Sequence, residues 1–217
     1  TSANQTTDQY DSDVENLTTG QTATFTLATG IMPDNYYPDI DAGIYDTSFS
    51  IGNTVWIENG NNSVYDYITD TGVNGVTLEL YLDTNDNGVY DSGVDTLVST
   101  TITGDNPATT GVTESGWYQF AGLSAGDYFV LIPASQLTTG GALYGYSSIS
   151  GQSGDDQIDS DDNGELSSYG VITQVISLAT DSEPSNDGDG SINSDLTIDF
   201  GFVAQELGLD ITKDINN

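Results

Sequence analysis

The chain has 217 residues, enough for one or two packed domains, and its 34 Asp and Glu face a single base, Lys213, for a net charge of −33. Phosphate backbones and anionic lipid repel such a polyanion, because counterion release needs Lys and Arg, so nucleic-acid and membrane-surface partners are excluded. The absence of Cys and His excludes disulfides, thiolate and imidazole metal sites, and the Ser-His-Asp and Cys-His catalytic devices.

In chain order, the first feature is "DQYDSDVEN", Asp8 to Asn16, followed by "TATFTLATG" (Thr22 to Gly30) and "DIDAGIY" (Asp39 to Tyr45). All three return in the same order as "DQIDSDDNGE" (Asp156 to Glu165), "TQVISLATD" (Thr173 to Asp181) and "TIDFGFV" (Thr197 to Val203). Ordered matches at a spacing of 148 residues (156 − 8) to 158 residues (197 − 39) mark a repeat of about that length. Residues 1–48 then read as the C-terminal half of a preceding repeat, 49–203 as a complete one, and 204–217 as a linker and the first strand of a next domain. That organisation suggests an excerpt of a longer repetitive protein. The alternative is that residues 1–48 complete the neighbouring fold by strand addition.

Strands are predicted at Ser50 to Ile57, Gly75 to Leu82, Gly116 to Leu123, Gly126 to Pro133, Gly170 to Leu178 and Asp195 to Val203. Each is β-branched or aromatic, alternates in polarity, and is bounded by Gly, Asn, Asp or Pro. No segment carries a sustained helical period with caps, and no apolar run reaches the ~18–20 residues of a membrane span. The expectation is an all-β protein, an Ig-like sandwich of two antiparallel sheets, with Trp56 and Trp117 in its core.

The acids crowd into the connections. In "DTNDNGVYDSGVD", Asp83, Asn85 and Asn87 hold positions 1, 3 and 5, Gly88 position 6, Val89 position 7 (as a carbonyl) and Asp91 position 9 of a calcium loop, with Asp95 one step past the usual closing acid. A solvated Asx turn would look similar. "ENGNNSVYDYITD" is a weaker copy offering Glu58, Asn62, Asp66 and Asp70, with Ser63 where the turning glycine belongs. A third cluster includes Asp156, Asp159 and Asp161, and "SEPSNDGDG" adds Glu183, Asp187 and Asp189. The first copy of the repeated motif supplies Asp8, Asp11 and Asp13, and this reproduced spacing argues against an arbitrary acidic surface. Without Cys or His, every site must be built from hard oxygen ligands. Irregular flexible loops suit Ca²⁺, in several copies, better than the tight octahedron of Mg²⁺.

Together "SIGNTVW", "GVNGVTLELY", "GWYQFAGLSAGDYFVLIP", "GDDQIDSDD" and "DLTIDFGF" resemble the SdrD-type B-repeat, a calcium-dependent relative of the Cna-B-like domains of bacterial surface proteins. The pattern Gly116, Tyr118, Phe120, Leu123, Gly126, Tyr128 carries much of the likeness. The tail "LGLDITKDINN" resembles the opening strand of a DUF11-type surface repeat. The resemblance implies a β-sandwich with calcium in its acidic loops, at Glu58, Asn62, Asp66 and Asp70 and at Asp156, Asp159 and Asp161. It also implies an extracellular stalk or adhesin role. A Lys–Asn isopeptide bond, found in many Cna-B-like domains, is impossible in 49–203, which has no lysine.

The functional expectation is a calcium-stabilised, non-enzymatic repeat of a surface adhesin or filament. Its expected partners are neighbouring repeats, other surface proteins or glycans, without direct membrane insertion. The rivals are a carbohydrate-binding module using Tyr and Trp as platforms, a charged surface that only holds hydration, and a paired-carboxylate glycosidase using Glu79, Glu114 or Glu165, for which no signature selects a pair.

Overall fold

A computed structural model describes residues 14–16, 21–22, 48–60, 62–109, 114–149, 160–180 and 182–205. The chain divides into two compact units, Thr1–Thr47 and Ser48–Asn217. In the first, β1 (Val14–Asn16) pairs antiparallel with β2 (Gln21–Thr22).

The second unit is a two-sheet sandwich. Its spine is β3 (Phe49–Ile57), paired along one edge with β4 (Thr71–Gly72) and β7 (Trp117–Leu123). The other edge of β3 pairs with β13 (Ser194–Asp195) and β14 (Phe200–Ala204), and β9 (Tyr146–Ser148) completes that sheet beside β14. The opposite sheet is centred on β8 (Gly126–Pro133). Around it stand β5 (Thr77–Leu82), β6 (Thr96–Ile102), β10 (Glu165–Leu166), β11 (Gly170–Ile172) and β12 (Ile176–Leu178). A single 3-10 turn, Ala134–Leu137, is the one helical element among the described residues.

Alternation places Leu78 and Leu80 of β5, Ile51 and Val55 of β3, Val130 and Ile132 of β8, and Phe200 and Phe202 of β14 in one core between the sheets. Glu79, between two core leucines, accepts a hydrogen bond from the Tyr81 hydroxyl at 2.8 Å instead. Gly116 opens β7 at φ +89, and a Cβ there would lie 2.3 Å from the Val55 carbonyl oxygen, so only glycine permits this approach.

The all-β sandwich matches the reading of the sequence, with three differences. The spine pairs parallel with β13 and β14, so that sheet is mixed. The expected strands 170–178 and 195–203 each break in two. The edge strand β6 was not predicted, because nearly all of it is exposed and its polarity pattern is blurred.

Candidate functional site

The connections Glu58–Asp70 and Asp83–Asp95 are each thirteen residues long, offset by 25 (83 − 58). Each is closed by directly paired strand residues, Ile57 with Thr71 in one and Leu82 with Thr96 in the other. The sheets thus clamp both loops at the same positions.

Inside them the hydrogen bonds repeat. Ser63 N–H donates to Glu58 Oε2 at 2.7 Å, and Gly88 N–H to Asp83 Oδ2 at 2.7 Å. Asn59 N–H donates to Asp70 Oδ1 at 2.8 Å, and Thr84 N–H to Asp95 Oδ1 at 3.1 Å. Asp66 N–H reaches Asp70 Oδ2 at 2.8 Å, as Asp91 N–H reaches Asp95 Oδ2 at 2.6 Å. Val64 and Val89 donate to the Asn62 and Asn87 side-chain oxygens at 3.1 and 2.8 Å. The Asp66 and Asp91 carbonyls each accept from the third and fourth residues beyond them. Ser63 takes the turning position at φ +60, beside φ +70 for Gly88, so the missing glycine does not break the weaker copy. Asp95 and Asp70, at position 13, close the loops by accepting the backbone N–H groups of Thr84 and Asp91 and of Asn59 and Asp66, respectively.

Four acids at the loop ends, Glu58, Asp70, Asp83 and Asp95, are buried. In the second loop the amides of Asn85 and Asn87 donate to Asp91 Oδ2 at 3.1 and 2.8 Å, putting the positive ends of their dipoles on that carboxylate. The first loop has Gly60, which carries no side chain, at the position of Asn85. Each loop is pinned by the tyrosine at position 8. Tyr65 lies 5.7 Å from Trp56, whereas Tyr90 packs against Tyr81, Tyr169 and Phe129 at 4.9, 5.2 and 6.1 Å. Burial raises the Tyr65 hydroxyl pKa, with Glu114, Asp199, Asp70 and Asp66 adding to it.

Beside the first loop lies the segment after Asp159. Tyr65 N–H donates to the Ser160 carbonyl at 2.8 Å, and Ser160 N–H to Asp199 Oδ2 at 2.9 Å. Fully buried Asp199 also accepts from Thr54 N–H at 3.0 Å and from Asn53 Nδ2 at 3.3 Å. Asp162 accepts from Gly164 and Gly201 N–H at 3.0 Å through Oδ1, while its buried Oδ2 has no partner. Burial pushes the Asp162 carboxyl up to about 7 against the pull of those two bonds, with Asp161 adding repulsion.

The remaining sequence candidates scatter. Glu183 accepts from Ala179 N–H and Ser182 Oγ in its own turn, and Asp189 from Ser191 N–H and Ser194 Oγ. Asp187 accepts from Leu196 N–H at 2.9 Å through Oδ2, and its buried Oδ1 has no partner. Burial raises its carboxyl pKa, against backbone bonds that lower it. Asp8, Asp11, Asp13, Asp156 and Asp159 lie outside the described residues. Among the described residues no three acidic side chains are arranged by themselves to hold a metal ion. A cation in either loop would also need amide and carbonyl oxygens and water.

The structure adds Asp195 and Asp199, which are not among the sequence candidates, and buries Asp162 of the third acidic cluster. Alternation in "DLTIDFGF" puts Asp195 and Asp199 opposite the apolar residues, on an expected polar face, yet the stretch from Ser194 to Phe202 is buried throughout. The repeat held the signal for Asp199, since "DIDAGIY" keeps an acid, Asp41, at the same place.

No family model matches the chain. Over 157 residues, 72% of its length, it is 32% identical to serine-aspartate repeat-containing protein D of Staphylococcus aureus strain Newman and, equally, of strain MW2. The chain is homologous to the SdrD serine-aspartate repeat proteins. It spans about a tenth of their length, the matched stretch being 10% of the strain Newman protein and 9% of the strain MW2 protein. Among solved structures, GBS52, the minor pilin of Streptococcus agalactiae, aligns with a TM-score of 0.31 and 12% identity over 73% of this chain and 45% of that one. So low a likeness leaves the architecture to rest on the strand order and core described above. The SdrD homology agrees with the resemblance carried by the sequence motifs.

Proposed function

We propose that this chain is a calcium-stabilised structural repeat of a large bacterial surface adhesin, a non-enzymatic stalk or spacer outside the cell. The observation that carries this reading is the duplicated loop. Two thirteen-residue connections share one register, one hydrogen-bond pattern and buried carboxylates at both ends. The chain's only base, Lys213, lies outside the described residues, so no described cationic side chain neutralises these acids. Buried like charges are costly unless a cation bridges them. Oxygen-only donors on alternate residues, closed by a carboxylate, suit Ca²⁺. The segment that docks on the first loop through Ser160 also carries the buried, partnerless Asp162 Oδ2, a further hard acceptor.

In this reading, Asp83, Asn85, Asn87, the Val89 carbonyl, Asp91 and Asp95 serve one ion, and Glu58, Asn62, Asp66, Asp70 and Asp161 serve another. Binding stabilises the fold by mass action, about 2.7 kcal/mol per site at free calcium ~100-fold above the dissociation constant. Extracellular-type sites with constants of ~10⁻⁴–10⁻³ M load in the millimolar calcium outside a cell and stay largely empty inside it. Ions in such loops would stiffen each repeat against its neighbours, a role that needs no isopeptide staple.

The test is a thermal melt of the full chain in about 10 mM calcium, roughly ten or more times the expected constants, and again in chelator. The expected result is a large rise in Tm with calcium that neither magnesium nor an equal ionic strength of sodium chloride reproduces. A melt indifferent to calcium but rising with salt would overturn the reading in favour of a simple acidic surface.

A further inference from the structure

The second unit contains a cavity of about 670 Å³ that neither the loops nor the SdrD homology explains. Its volume falls within the range typical of small-molecule sites. Tyr65 and Tyr67 enter its wall from the Glu58–Asp70 loop, Trp117 from the start of β7, Asn106 and Glu114 from the β6–β7 connection, and Asp187 from the acidic stretch before β13. Trp117 thus departs from its expected place in the core. It is only partly buried on the cavity wall, whereas Trp56 is fully buried.

Three observations define what this cavity recognises. Asp187 is 5% exposed, with one oxygen engaged by Leu196 N–H and the other buried without a well-formed hydrogen bond, while the backbone N–H groups of Asp187 and Asp189 in its own turn favour the charged carboxylate. A buried acceptor left in that state is costly and asks for a donor from a ligand. Asn106 Nδ2 donates to Glu114 Oε2 at 3.1 Å, so a second acceptor is held in place before anything binds. Three aromatic side chains also share the wall, and one of them, Tyr67, is 70% exposed.

Carboxylate and amide acceptors beside aromatic faces match a polyhydroxylated ring. Its hydroxyls donate to the carboxylates while its C–H face stacks on the aromatics. The net charge of −33 repels phosphorylated, sulfated or carboxylated ligands. We propose that this cavity binds a neutral carbohydrate, with Tyr67 and Trp117 as stacking platforms and Asp187 as the buried hydroxyl acceptor. The module would then touch glycans directly as well as space other domains from the surface.

The test uses the full chain, titrated by calorimetry and saturation-transfer NMR with methyl glycosides of glucose, galactose, mannose and N-acetylglucosamine and their β-linked disaccharides. One or more should bind saturably with a Kd of about 0.1–1 mM, the scale of a small ligand holding a few contacts. Tyr67→Ala should weaken that binding about five- to tenfold, the size of one aromatic contact, without moving the melting curve. Asp187→Asn should weaken it at least as much. No saturable binding up to about 10 mM, well above that range, would overturn the proposal. So would binding unchanged in both variants, or saturable binding of acetyl-lysine-amide or calcium alone at Asp187, which would make the cavity a cation site. Running the titrations with calcium and with chelator separates this inference from the calcium reading, since a folded protein indifferent to calcium can still bind the sugar.

Discussion

The Glu58–Asp70 and Asp83–Asp95 loops follow the same hydrogen-bonded path while sharing five of their thirteen residues: Asn62 and Asn87, Val64 and Val89, Tyr65 and Tyr90, Asp66 and Asp91, Asp70 and Asp95. Four of these pairs build the turn or anchor it, through side-chain acceptors, the closing carboxylate and the packed ring. The differences fall elsewhere. The second loop is a self-contained hairpin whose Asn85 and Asn87 both reach Asp91, and it leans on three aromatic rings of its own sheet. The first has glycine at the Asn85 position and one ring partner, and it docks on Ser160, about a hundred residues later in the chain. A loop with fewer internal contacts can borrow them from a distant segment that the fold brings alongside.

The largest expected effect tests that borrowing. Asp162 belongs to the segment that docks on the first loop through Ser160, and burial pushes its carboxyl up to about 7 from the usual 3.8. Because the folded pKa is raised, the folded state holds the proton more tightly. In chelator, stability should therefore be highest below about pH 4 and fall as pH rises to about 7, by at most about 4 kcal/mol. Asp162→Asn should flatten that slope. Parallel pH profiles for wild type and variant, measured by urea denaturation, would remove the asymmetry between the loops.

Next comes the aromatic anchor. Tyr90→Ala should cost about 3 kcal/mol and Tyr65→Ala about half as much, given three ring contacts against one; equal costs in chemical denaturation would show that packing does not separate the loops. Smaller again is the first carboxylate. Asp83→Ala strands the Asn87 and Gly88 N–H groups and should cost about 2 kcal/mol, against about 1 kcal/mol for Glu58→Ala, which strands that of Ser63. Both variants should also shrink the calcium-dependent rise in Tm, and an undiminished rise would exclude these side chains as ligands. The smallest effect lies at the turn. Gly88→Ala meets no neighbour and should lose only the left-handed strain, about 1 kcal/mol, whereas Ser63→Gly should gain about 0.5 kcal/mol. Matching losses in both would mean that Ser63 is held by more than its backbone.

By itself the sequence determined the fold class, most of the apolar core and the place of both loops. Alternation of Leu78 with Glu79, or of Ile51 with Gly52, is local information, and so is the spacing of oxygens from Asp83 to Asp95. Nothing local announces that β3 pairs parallel with β13 and β14, because parallel pairing joins segments more than 140 residues apart. The exposed edge strand β6 escaped for a different reason: with neither face buried, selection for alternation is weak. The tertiary structure alone decided that Asp195 and Asp199 are interior, since a strand covered on both faces has no polar side to expose. It also decided that Ser63 can stand in for glycine, because the register of Ile57 with Thr71 forces the turn on whatever residue is there. The cavity was the least legible feature. Tyr67, Trp117, Glu114 and Asp187 come from four connections and strand ends, and only the closing of the sandwich brings them to one wall.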